Sequence, residues 1–498
     1  MLNSVQNAKV LVIGGGFGGI AAALRCRSLG FNVTIVDRLP KLGGRAQVFN
    51  IDGFKHDAGP TVITAPFLFE ELFSLFNENI HDHVSFVPLT PWYRYIFHNG
   101  QTFDYGADEK LLAREIAKFS PKDVENYDRL LKASKKIFDI GFTKLAHKPF
   151  LNFSSMIKQI PHLINLRADR TVSEFVSKYI QNPFLQKAFS IHPLLVGGNP
   201  YSTTSIYSLI HYLEKKWGIH FCMGGTGRLV EELTKLMLRQ DIRIRTNLEV
   251  KNLTVKNRKI DSVILNNGEK VNFDHVICNA DPPVVYKNLL KNTVTPSLGI
   301  NKWLPKRFTK YSMGLYVLFF GTKKQYPNVA HHTIWLTTRF KELLNDIFEG
   351  RATDDFSLYI HRPTATDSSF APDDCDSFYV LCPVPNLRTK INWETEGEKL
   401  RNKIVNALSK SMLPNLEKYI TGEKWMSPKD FEETYLCEHG AGFSIAPTLT
   451  QSAWFRYHNQ DKKIKNLFFV GAGTHPGAGL PGVISSAKVV ESLIKKQN

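Results

Sequence analysis

Two glycine-rich stretches near opposite ends of the 498-residue chain constrain its fold more than any other feature. The first starts with an apolar run at residues 10–13 and continues through GGGFGG into an alanine-rich run. The second, at residues 466–487, places another apolar run before a loop with five glycines and a helix-forming sequence. Glycine lets the backbone approach a ligand that a side chain would block. Both stretches are therefore predicted to be strand–helix junctions that bind a ligand.

The N-terminal stretch has the pattern of a βαβ unit, with a second strand at residues 33–36 that ends in an acidic residue. In such a unit the first glycine makes a tight turn, the second lets the backbone approach a diphosphate, and the third lets helix and strand pack closely. The diphosphate lies at the helix N-terminus, and the acidic residue accepts hydrogen bonds from a ribose. The predicted dinucleotide-binding residues are Gly14, Gly16, Gly19 and Asp37.

This unit alone does not separate NAD from FAD, but two further turns of small residues follow it. LGGRA contributes Gly44 and Arg45, and DAGPTVIT contributes Pro60 and Thr61. A second close backbone approach with an arginine suits a ligand that extends beyond its diphosphate, because the guanidinium offers a planar fork of donors.

In this order, the GxGxxG loop, the acidic strand end, GGR and DAGPTVIT resemble the flavoprotein superfamily of amine oxidases and carotenoid desaturases. The resemblance implies FAD as the cofactor, embraced from its two ends by the two glycine-rich junctions. It also implies cofactor contacts at Val250, in LEVKNL, and at Gly473 and Val483 of the C-terminal junction.

The predicted fold class is α/β, with a Rossmann-type FAD-binding domain assembled from discontinuous segments, a mixed α+β substrate domain and a helical membrane-associating addition. The FAD-binding segments are residues 1–65, 223–282 and 445–498. The substrate domain is residues 283–444, and the helical substrate and membrane region is residues 66–222. In that region the cluster Trp92, Tyr93 and Tyr95 is predicted to pack in a core.

The chain carries 63 basic and 46 acidic residues, a net charge of +17, which suggests an anionic partner. No zinc-finger spacing or basic coiled coil accompanies this charge, so nucleic acid is not an expected partner. The six cysteines are scattered without a CxxC pair, which is typical of reduced thiols in a cytosolic chain, and no metal site is expected. His331 and His332 would face opposite sides of a strand and are interpreted as structural.

Longer stretches are similar to bacterial-type phytoene desaturases, among them residues 190–230, FSLYIHRPTATDSSFAP and LTQSAWFR. The similarity implies a long isoprenoid substrate, 15-cis-phytoene, dehydrogenated in successive steps towards lycopene by hydride transfer to FAD. A quinone or oxygen is the expected electron acceptor. The protein then has mainly to position the substrate in a dry cavity. Candidates for proton transfer or cation stabilisation are Asp367, Glu214, His211 and His192.

Two alternatives to this function remain open at the level of sequence. The first keeps the fold and changes the substrate, as in a C30 diapophytoene desaturase or a carotenoid oxygenase. The second is a non-catalytic prenyl-lipid carrier of the Rab GDP-dissociation inhibitor kind, which has the same superfamily fold. Complete flavin-binding motifs favour an enzyme over a carrier.

No run of 18 uncharged apolar residues occurs, so no membrane-spanning helix is expected. A phytoene-binding enzyme must still take its substrate from a bilayer. Residues 139–168 interleave large apolar side chains with Lys144, Lys148, Lys158 and Arg167, the pattern of an interfacial segment. The chain is therefore expected to be cytoplasmic and peripherally associated with the cell membrane.

Overall fold

The structure is a computed structural model that describes residues 8–150, 161, 166–291 and 309–497. A five-stranded parallel sheet forms the core of one lobe. Its strands, in spatial order, are Arg243–Arg245, Asn32–Val36, Lys9–Ile13, His275–Cys278 and Leu467–Phe469. The strands come from all three segments predicted to form the FAD-binding domain, although the exact limits of those segments stay a prediction.

The two glycine-rich junctions leave this sheet at the same edge, on either side of the strand His275–Cys278. The helix that follows the first junction, Phe17–Ser28, packs on the helix that follows the second, Leu480–Lys495. Small residues permit this close packing, because the first helix buries Gly18, Gly19 and a run of alanines. The fold thereby brings the two ends of the chain to one site.

A seven-stranded mixed sheet forms the second lobe. Its strands, in spatial order, are Ile420–Met426, Gly314–Thr322, Asp376–Val384, Leu358–His361, His332–Leu336, Tyr93–Phe97 and Thr102–Tyr105. The last two strands belong to the region predicted to be helical, so that prediction was incomplete. Their alternation of buried and accessible residues is typical of a sheet with one packed face. The aromatic cluster Trp92, Tyr93 and Tyr95 is buried in the adjoining core, as predicted.

Three small sheets complete the strands of the described residues. Their strands are Val48–Ile51 with Phe54–Asp57; Ile63–Thr64 with Ile219–Cys222 and Phe86–Pro88; and Val250–Lys256 with Lys259–Leu265 and Lys270–Val271. The last two strands form a hairpin whose turn contains Asn267 and Gly268, and Gly268 has a φ of +83°.

The remaining helices surround the two large sheets. They are Phe67–Ser74, Glu109–Ala117, Lys122–Ile140, Val172–Ser177, Pro183–Ser190, Leu209–Trp217, Gly225–Arg239, Pro282–Val284, Phe340–Glu349, Trp393–Lys410, Leu416–Tyr419 and Pro428–Tyr435. Several begin at side-chain caps that the sequence supplies. Asp108 accepts hydrogen bonds from the first turn of one helix, and Thr171 forms a capping box with Glu174 at another.

Within the described ranges, none of the helices has the length and apolar character needed to cross a bilayer. The predicted interfacial segment is described only in part, because residues 151–160 and 162–165, including Lys158, lie outside the described residues. In the described part, Lys144 and Lys148 are exposed, whereas Phe142, Leu145 and Phe150 face inward.

Candidate active site

One cavity of about 640 Å³ extends from the glycine-rich junctions into the space between the two lobes. At one end its walls are the backbone of both junctions. At the other end they are apolar side chains from the helical region and the seven-stranded sheet. Lining residues at that end include Leu194, Leu209, Leu213, Leu336, Phe340 and Leu343. The cavity thus joins a polar, backbone-rich chamber to an apolar one.

The glycines of the first junction occupy positions that only small residues fill. Gly14 has a φ of +95° and its N–H donates to the Val36 carbonyl oxygen at 2.8 Å, which closes the tight turn. A Cβ atom on Gly19 would collide with the Gly14 carbonyl oxygen. Gly16 has an ordinary φ of −71°, but a Cβ there would lie 2.9 Å from Nδ2 of Asn279 and project into the cavity wall. The space around each glycine is therefore compatible with the role predicted for it in a dinucleotide cradle.

Asp37 lies at the end of the second strand and borders the same chamber. Its Oδ2 accepts a 2.6 Å hydrogen bond from the Gly15 N–H and its Oδ1 a 2.8 Å bond from the Leu39 N–H. Burial raises the pKa of this carboxyl group and outweighs the opposing effect of the two backbone hydrogen bonds. The backbone thus fixes the carboxylate in place, and its remaining lone pairs are available to a ribose hydroxyl.

The GGR turn lies directly on the first glycine loop. The Gly43 N–H donates to the Gly15 carbonyl oxygen at 2.8 Å, and a Cβ on Gly44 would lie 3.0 Å from the Gly16 Cα. Arg45 donates from Nη2 to Sγ of Cys437 at 3.0 Å. Its buried Nε has no hydrogen-bond partner among the described residues. An unpartnered buried guanidinium nitrogen in a cavity wall fits a site that receives a polar ligand.

The C-terminal junction is held open by the buried Arg456. This guanidinium donates from Nη2 to the carbonyl oxygens of Ala472 and Ile445, at 2.6 and 3.1 Å, and from Nε to that of Thr474 at 3.2 Å. These bonds satisfy loop carbonyl groups that would otherwise be free to rearrange. The loop is therefore rigid before any ligand binds, with Val483 of the following helix in the cavity wall.

The predicted contact at Gly473 is not supported by its position. A Cβ on Gly473 would meet Pro282 Cδ and would lie 3.2 Å from Oδ1 of Asp281, so this glycine packs the loop against the protein. Its neighbours Gly471 and Ala472 line the cavity in its place. The other predicted contacts, Pro60, Thr61 and Val250, all lie in the cavity wall.

Two residues that the sequence analysis missed lie between the junctions. Asn279 follows the strand His275–Cys278, and its side chain fills the space facing Gly16, Gly18 and Gly471. Asp281 is partly buried in the cavity wall, and desolvation raises the pKa of its carboxyl group. Its Oδ2 has no partner among the described residues. Their place after a fully buried strand, at the edge where both junctions meet, was the available signal.

The candidates Glu214 and His192 form a buried pair beside the apolar chamber. The Glu214 Oε2 lies 2.8 Å from His192 Nε2, and both side chains are 0% exposed. Tyr93 donates its hydroxyl to Glu214 Oε1 at 3.3 Å, and His192 Nδ1 lies 3.3 Å from the Phe189 carbonyl oxygen. Burial, followed by the Glu214 charge, raises the pKa of Tyr93 well above its usual range. Among the described residues, Glu214 lines the cavity and His192 does not.

The other two candidates are placed differently. The ring of His211 packs 4.2 Å from that of His192, centroid to centroid, and burial keeps the pKa of His211 well below its usual value. Asp367 does not line the cavity among the described residues. Its Oδ2 accepts from the Gly224 N–H at 2.7 Å and its Oδ1 from the Ser369 N–H at 3.0 Å. Asp367 is thus a capping residue, and its expected role at the reacting carbon is not supported.

A second group of histidines departs from the sequence interpretation. His331 precedes the strand that begins at His332, so the two rings do not diverge as neighbours on a strand would, and their centroids lie 4.6 Å apart. Together with His361 they form a buried cluster whose ring nitrogens lie within 4.8 Å of one another.

The sequence profile of the family described as "Flavin containing amine oxidoreductase" matches residues 17–490. The chain therefore belongs to this family of flavoprotein oxidoreductases, and its cofactor is FAD. The cradle described above fits this cofactor, because the glycine backbone, Asp37 and Arg45 all line one elongated chamber, and the buried Arg45 Nε has no hydrogen-bond partner among the described residues.

Within this family the chain is a member of the bacterial-type phytoene desaturases. It is 44% identical to "Phytoene desaturase (lycopene-forming)" of Pantoea ananas, over 97% of this chain and 98% of that protein. It is also 44% identical to the protein of the same description from Pseudescherichia vulneris, over 98% and 99% of the two chains. A 4,4'-diapophytoene desaturase (4,4'-diaponeurosporene-forming) of Staphylococcus haemolyticus is 30% identical, over 96% of this chain and 97% of that protein.

Solved structures share the fold at low identity. An oxidoreductase from Methanosarcina mazei superposes with a TM-score of 0.64 at 14% identity, covering 97% of this chain and all of that one. A Rab GDI from Plasmodium falciparum superposes with a TM-score of 0.58 at 11% identity, covering 98% of both chains. Because an oxidoreductase and a Rab GDI share it, the fold alone does not define the activity.

Proposed function

We propose that this chain is an FAD-dependent desaturase that converts 15-cis-phytoene by successive dehydrogenations towards lycopene. The observation that carries the proposal is the single cavity that joins the dinucleotide cradle to an apolar chamber. Relatives at 44% identity over nearly the full chain have the description of lycopene-forming phytoene desaturases. An apolar chamber with few polar groups suits a long hydrocarbon substrate.

The chain's own residues account for positioning and for the exclusion of water. FAD, when bound, supplies the acceptor for a hydride from an allylic carbon of the substrate. The apolar walls of the cavity around that carbon hold the hydrocarbon substrate in place and keep bulk water away. A quinone or oxygen is proposed as the final electron acceptor.

Glu214 is proposed to receive the proton that the oxidised substrate loses. The carbon next to an allylic cation is strongly acidic, so a carboxylate suffices as the base. Glu214 is on the cavity face of helix Leu209–Trp217, where Leu209, Ile210 and Leu213 contribute apolar contacts. His192, 2.8 Å away, can share the proton and so return the carboxylate for the next cycle.

The substrate assignment is tested by expression in a host that accumulates phytoene. We expect red, lycopene-containing cells, with the products identified by chromatography and absorption spectra. A parallel host supplied with the C30 precursor is expected to give little or no pigment. The negative control is a Gly16→Val variant expressed to the same level, because it is expected to lose FAD.

Three outcomes would contradict this assignment. Conversion of the C30 precursor in preference to phytoene would establish the diapophytoene alternative, and an oxygenated product would establish the oxygenase alternative. A purified protein that binds phytoene but no FAD would instead be a carrier. The unpartnered Arg45 Nε and Asp281 Oδ2 in the cavity wall support the flavin-binding enzyme over that carrier.

Peripheral membrane binding is proposed for the segment that includes residues 141–150. Its apolar residues Phe142, Leu145 and Phe150 line the cavity, while Lys144 and Lys148 are exposed. A single segment therefore separates the cavity from the surface at this point. Cations on its outer face suit contact with anionic headgroups, and a hydrocarbon substrate could enter the cavity directly behind it.

Reversing the charge of this segment is expected to weaken membrane binding. Each lysine near an anionic surface contributes about 1 kcal/mol, so losing two lowers the partition coefficient roughly 30-fold. The Lys144→Glu, Lys148→Glu double variant is compared with wild type by flotation with phosphatidylglycerol-containing liposomes at low salt. Its FAD content is expected to remain that of wild type.

The matched control is the Lys256→Glu, Lys259→Glu variant. These lysines are exposed on a hairpin of the FAD-binding lobe and give the same change in net charge. Equal loss of flotation in both variants would show a general charge effect, and no loss in the first would remove this segment as the docking surface.

A further inference from the structure

Three histidines converge in the seven-stranded sheet, behind the wall of the main cavity. His331, His332 and His361 are 6%, 0% and 1% exposed, and one ring nitrogen of each lies within 4.8 Å of the others. The two strands that carry them, His332–Leu336 and Leu358–His361, pair antiparallel with His332 opposite His361. The backbone register therefore fixes two of the rings side by side.

Hydroxyl groups orient the rings. His332 Nδ1 lies 2.8 Å from the Tyr359 hydroxyl, and His331 Nδ1 lies 2.7 Å from Oγ1 of Thr366. The Nε2 atoms are thereby left to face the cluster. His331 Nε2 and His361 Nε2 are 3.1 Å apart, and His332 Nε2 has no hydrogen-bond partner among the described residues. His331 and His332 thus have the Nδ1 contacts that orient metal-ligating histidines, whereas Nδ1 of His361 has no hydrogen-bond partner among the described residues.

We propose that His331, His332 and His361 bind one first-row transition-metal ion. The ion is of the class that prefers imidazole ligands, such as Zn²⁺. Zn–N bonds of about 2.0–2.1 Å at tetrahedral angles place ligand nitrogens about 3.4 Å apart. The pair at 3.1 Å is close to that spacing, and a small rotation of the His332 ring brings in the third nitrogen. A water or hydroxide completes the coordination.

The electrostatic surroundings permit a cation at this point. All three rings are buried, and burial favours the neutral form of imidazole, which is the form that binds a metal. Arg362 shares a pocket wall with His331, and its Nε donates to Oδ2 of Asp376 at 2.9 Å. That buried ion pair compensates the guanidinium charge, which would otherwise repel the metal.

An ion can reach the cluster from the surface. A second pocket borders His331, and its walls also include Arg94, Arg362, Ala365 and Thr366. Ala365 is exposed, so this pocket opens outside the main cavity. The proposed site is therefore separate from the FAD cradle.

The site has a defined connection to the main cavity. The Tyr359 hydroxyl that contacts His332 also lies 2.6 Å from Oγ1 of Thr61, and both of these side chains line the cavity. A bound metal would hold His332 and so fix Tyr359 in the cavity wall. Its role is then to cross-link two strands and stiffen the wall beside the substrate, with no part in electron transfer.

The test uses FAD-loaded protein that has been stripped of metal with a chelator and dialysed. Addition of Zn²⁺ at micromolar concentration is expected to give one bound equivalent by elemental analysis and to raise the Tm. Co²⁺ is expected to give ligand-field bands in a difference spectrum against the flavin. Binding far below one equivalent in the wild type would overturn the proposal without any variant.

Variants then locate the binding. His332→Gln and His361→Gln are each expected to abolish the stoichiometric binding and the Zn²⁺-dependent rise in Tm, while retaining FAD as a sign of folding. His98→Gln, which changes an exposed histidine outside the cluster, is expected to bind like wild type. If His332→Gln and His361→Gln retain one equivalent, the metal binds elsewhere and the proposal is wrong. If these two variants lose FAD, the Co²⁺ difference spectrum of the wild-type protein tests the proposal instead. Bands typical of nitrogen ligands would support it, and their absence would contradict it.

Discussion

Gly16→Val is expected to abolish FAD retention and, with it, all desaturase activity. The backbone at Gly16 has a φ of −71°, which any residue can adopt, so the effect is not one of backbone strain. A Cβ at this position would lie 2.9 Å from Nδ2 of Asn279, and the branched side chain would occupy the path of the diphosphate. The result is expected to be a folded, colourless protein.

The measurement is the flavin-to-protein absorbance ratio of purified protein, together with far-ultraviolet circular dichroism for folding. Gly16→Ala and Gly106→Ala form a matched pair. A Cβ on Gly106 has no neighbour nearer than 3.7 Å, so this variant is expected to retain FAD, whereas Gly16→Ala is expected to lose most of it. Normal flavin content in Gly16→Val would mean that the diphosphate does not approach this glycine.

The FAD-binding lobe could be predicted from sequence because each of its features has a local cause. The βαβ unit has apolar strands, a glycine pattern and an acidic strand end within residues 9–37. These features bind the ligand through the backbone, so they need particular residue types at a fixed spacing. The family resemblance predicted that both glycine-rich junctions contribute to one site. The strand order explains why, because the two strands that precede the junctions lie on either side of the strand His275–Cys278.

The remainder of the site could not be predicted, because it depends on contacts between distant segments. Asn279 is far from Gly16 and Gly471 in sequence, yet its side chain fills the gap between them. Asp367 has a carboxyl group, as a catalytic acid would. Its Oδ2, however, accepts a hydrogen bond from the N–H of Gly224, which is far away in sequence. Burial would raise the pKa of Asp367, but hydrogen bonds from Ser369 and Gly224 outweigh it and lower the pKa.

The histidine cluster illustrates the same limit. The alternation of side chains along a strand predicts that His331 and His332 diverge. The strand begins only at His332, and the third ring comes from a different strand, Leu358–His361. The periodicity of the sequence shows neither where the strand begins nor which distant strand supplies the third ring. The cluster could therefore be recognised only from the three-dimensional structure.

Glu214→Gln is expected to lower kcat by about 10²- to 10⁴-fold, the usual contribution of a general base. The substitution keeps the volume and one acceptor oxygen, so the bonds to Tyr93 and His192 can be remade without a buried vacancy. It replaces the carboxylate by a neutral amide beside the apolar chamber. A neutral amide neither takes up a proton readily nor stabilises positive charge on the substrate.

A purely structural role for Glu214 makes a different prediction, and stability separates the two. Glu214→Leu leaves the Tyr93 hydroxyl and the His192 Nε2 without their buried acceptor, which costs about 1–3 kcal/mol for each unpaired group. Glu214→Gln is expected to match the wild-type Tm and FAD content, while Glu214→Leu loses both stability and activity. Because Glu214→Gln would keep the hydrogen bonds but not the charge, wild-type kcat in this variant would show that the carboxylate only orients Tyr93 and His192. A low kcat at unchanged Tm, with KM for liposomal phytoene also unchanged, would place the charge of Glu214 in the reaction itself.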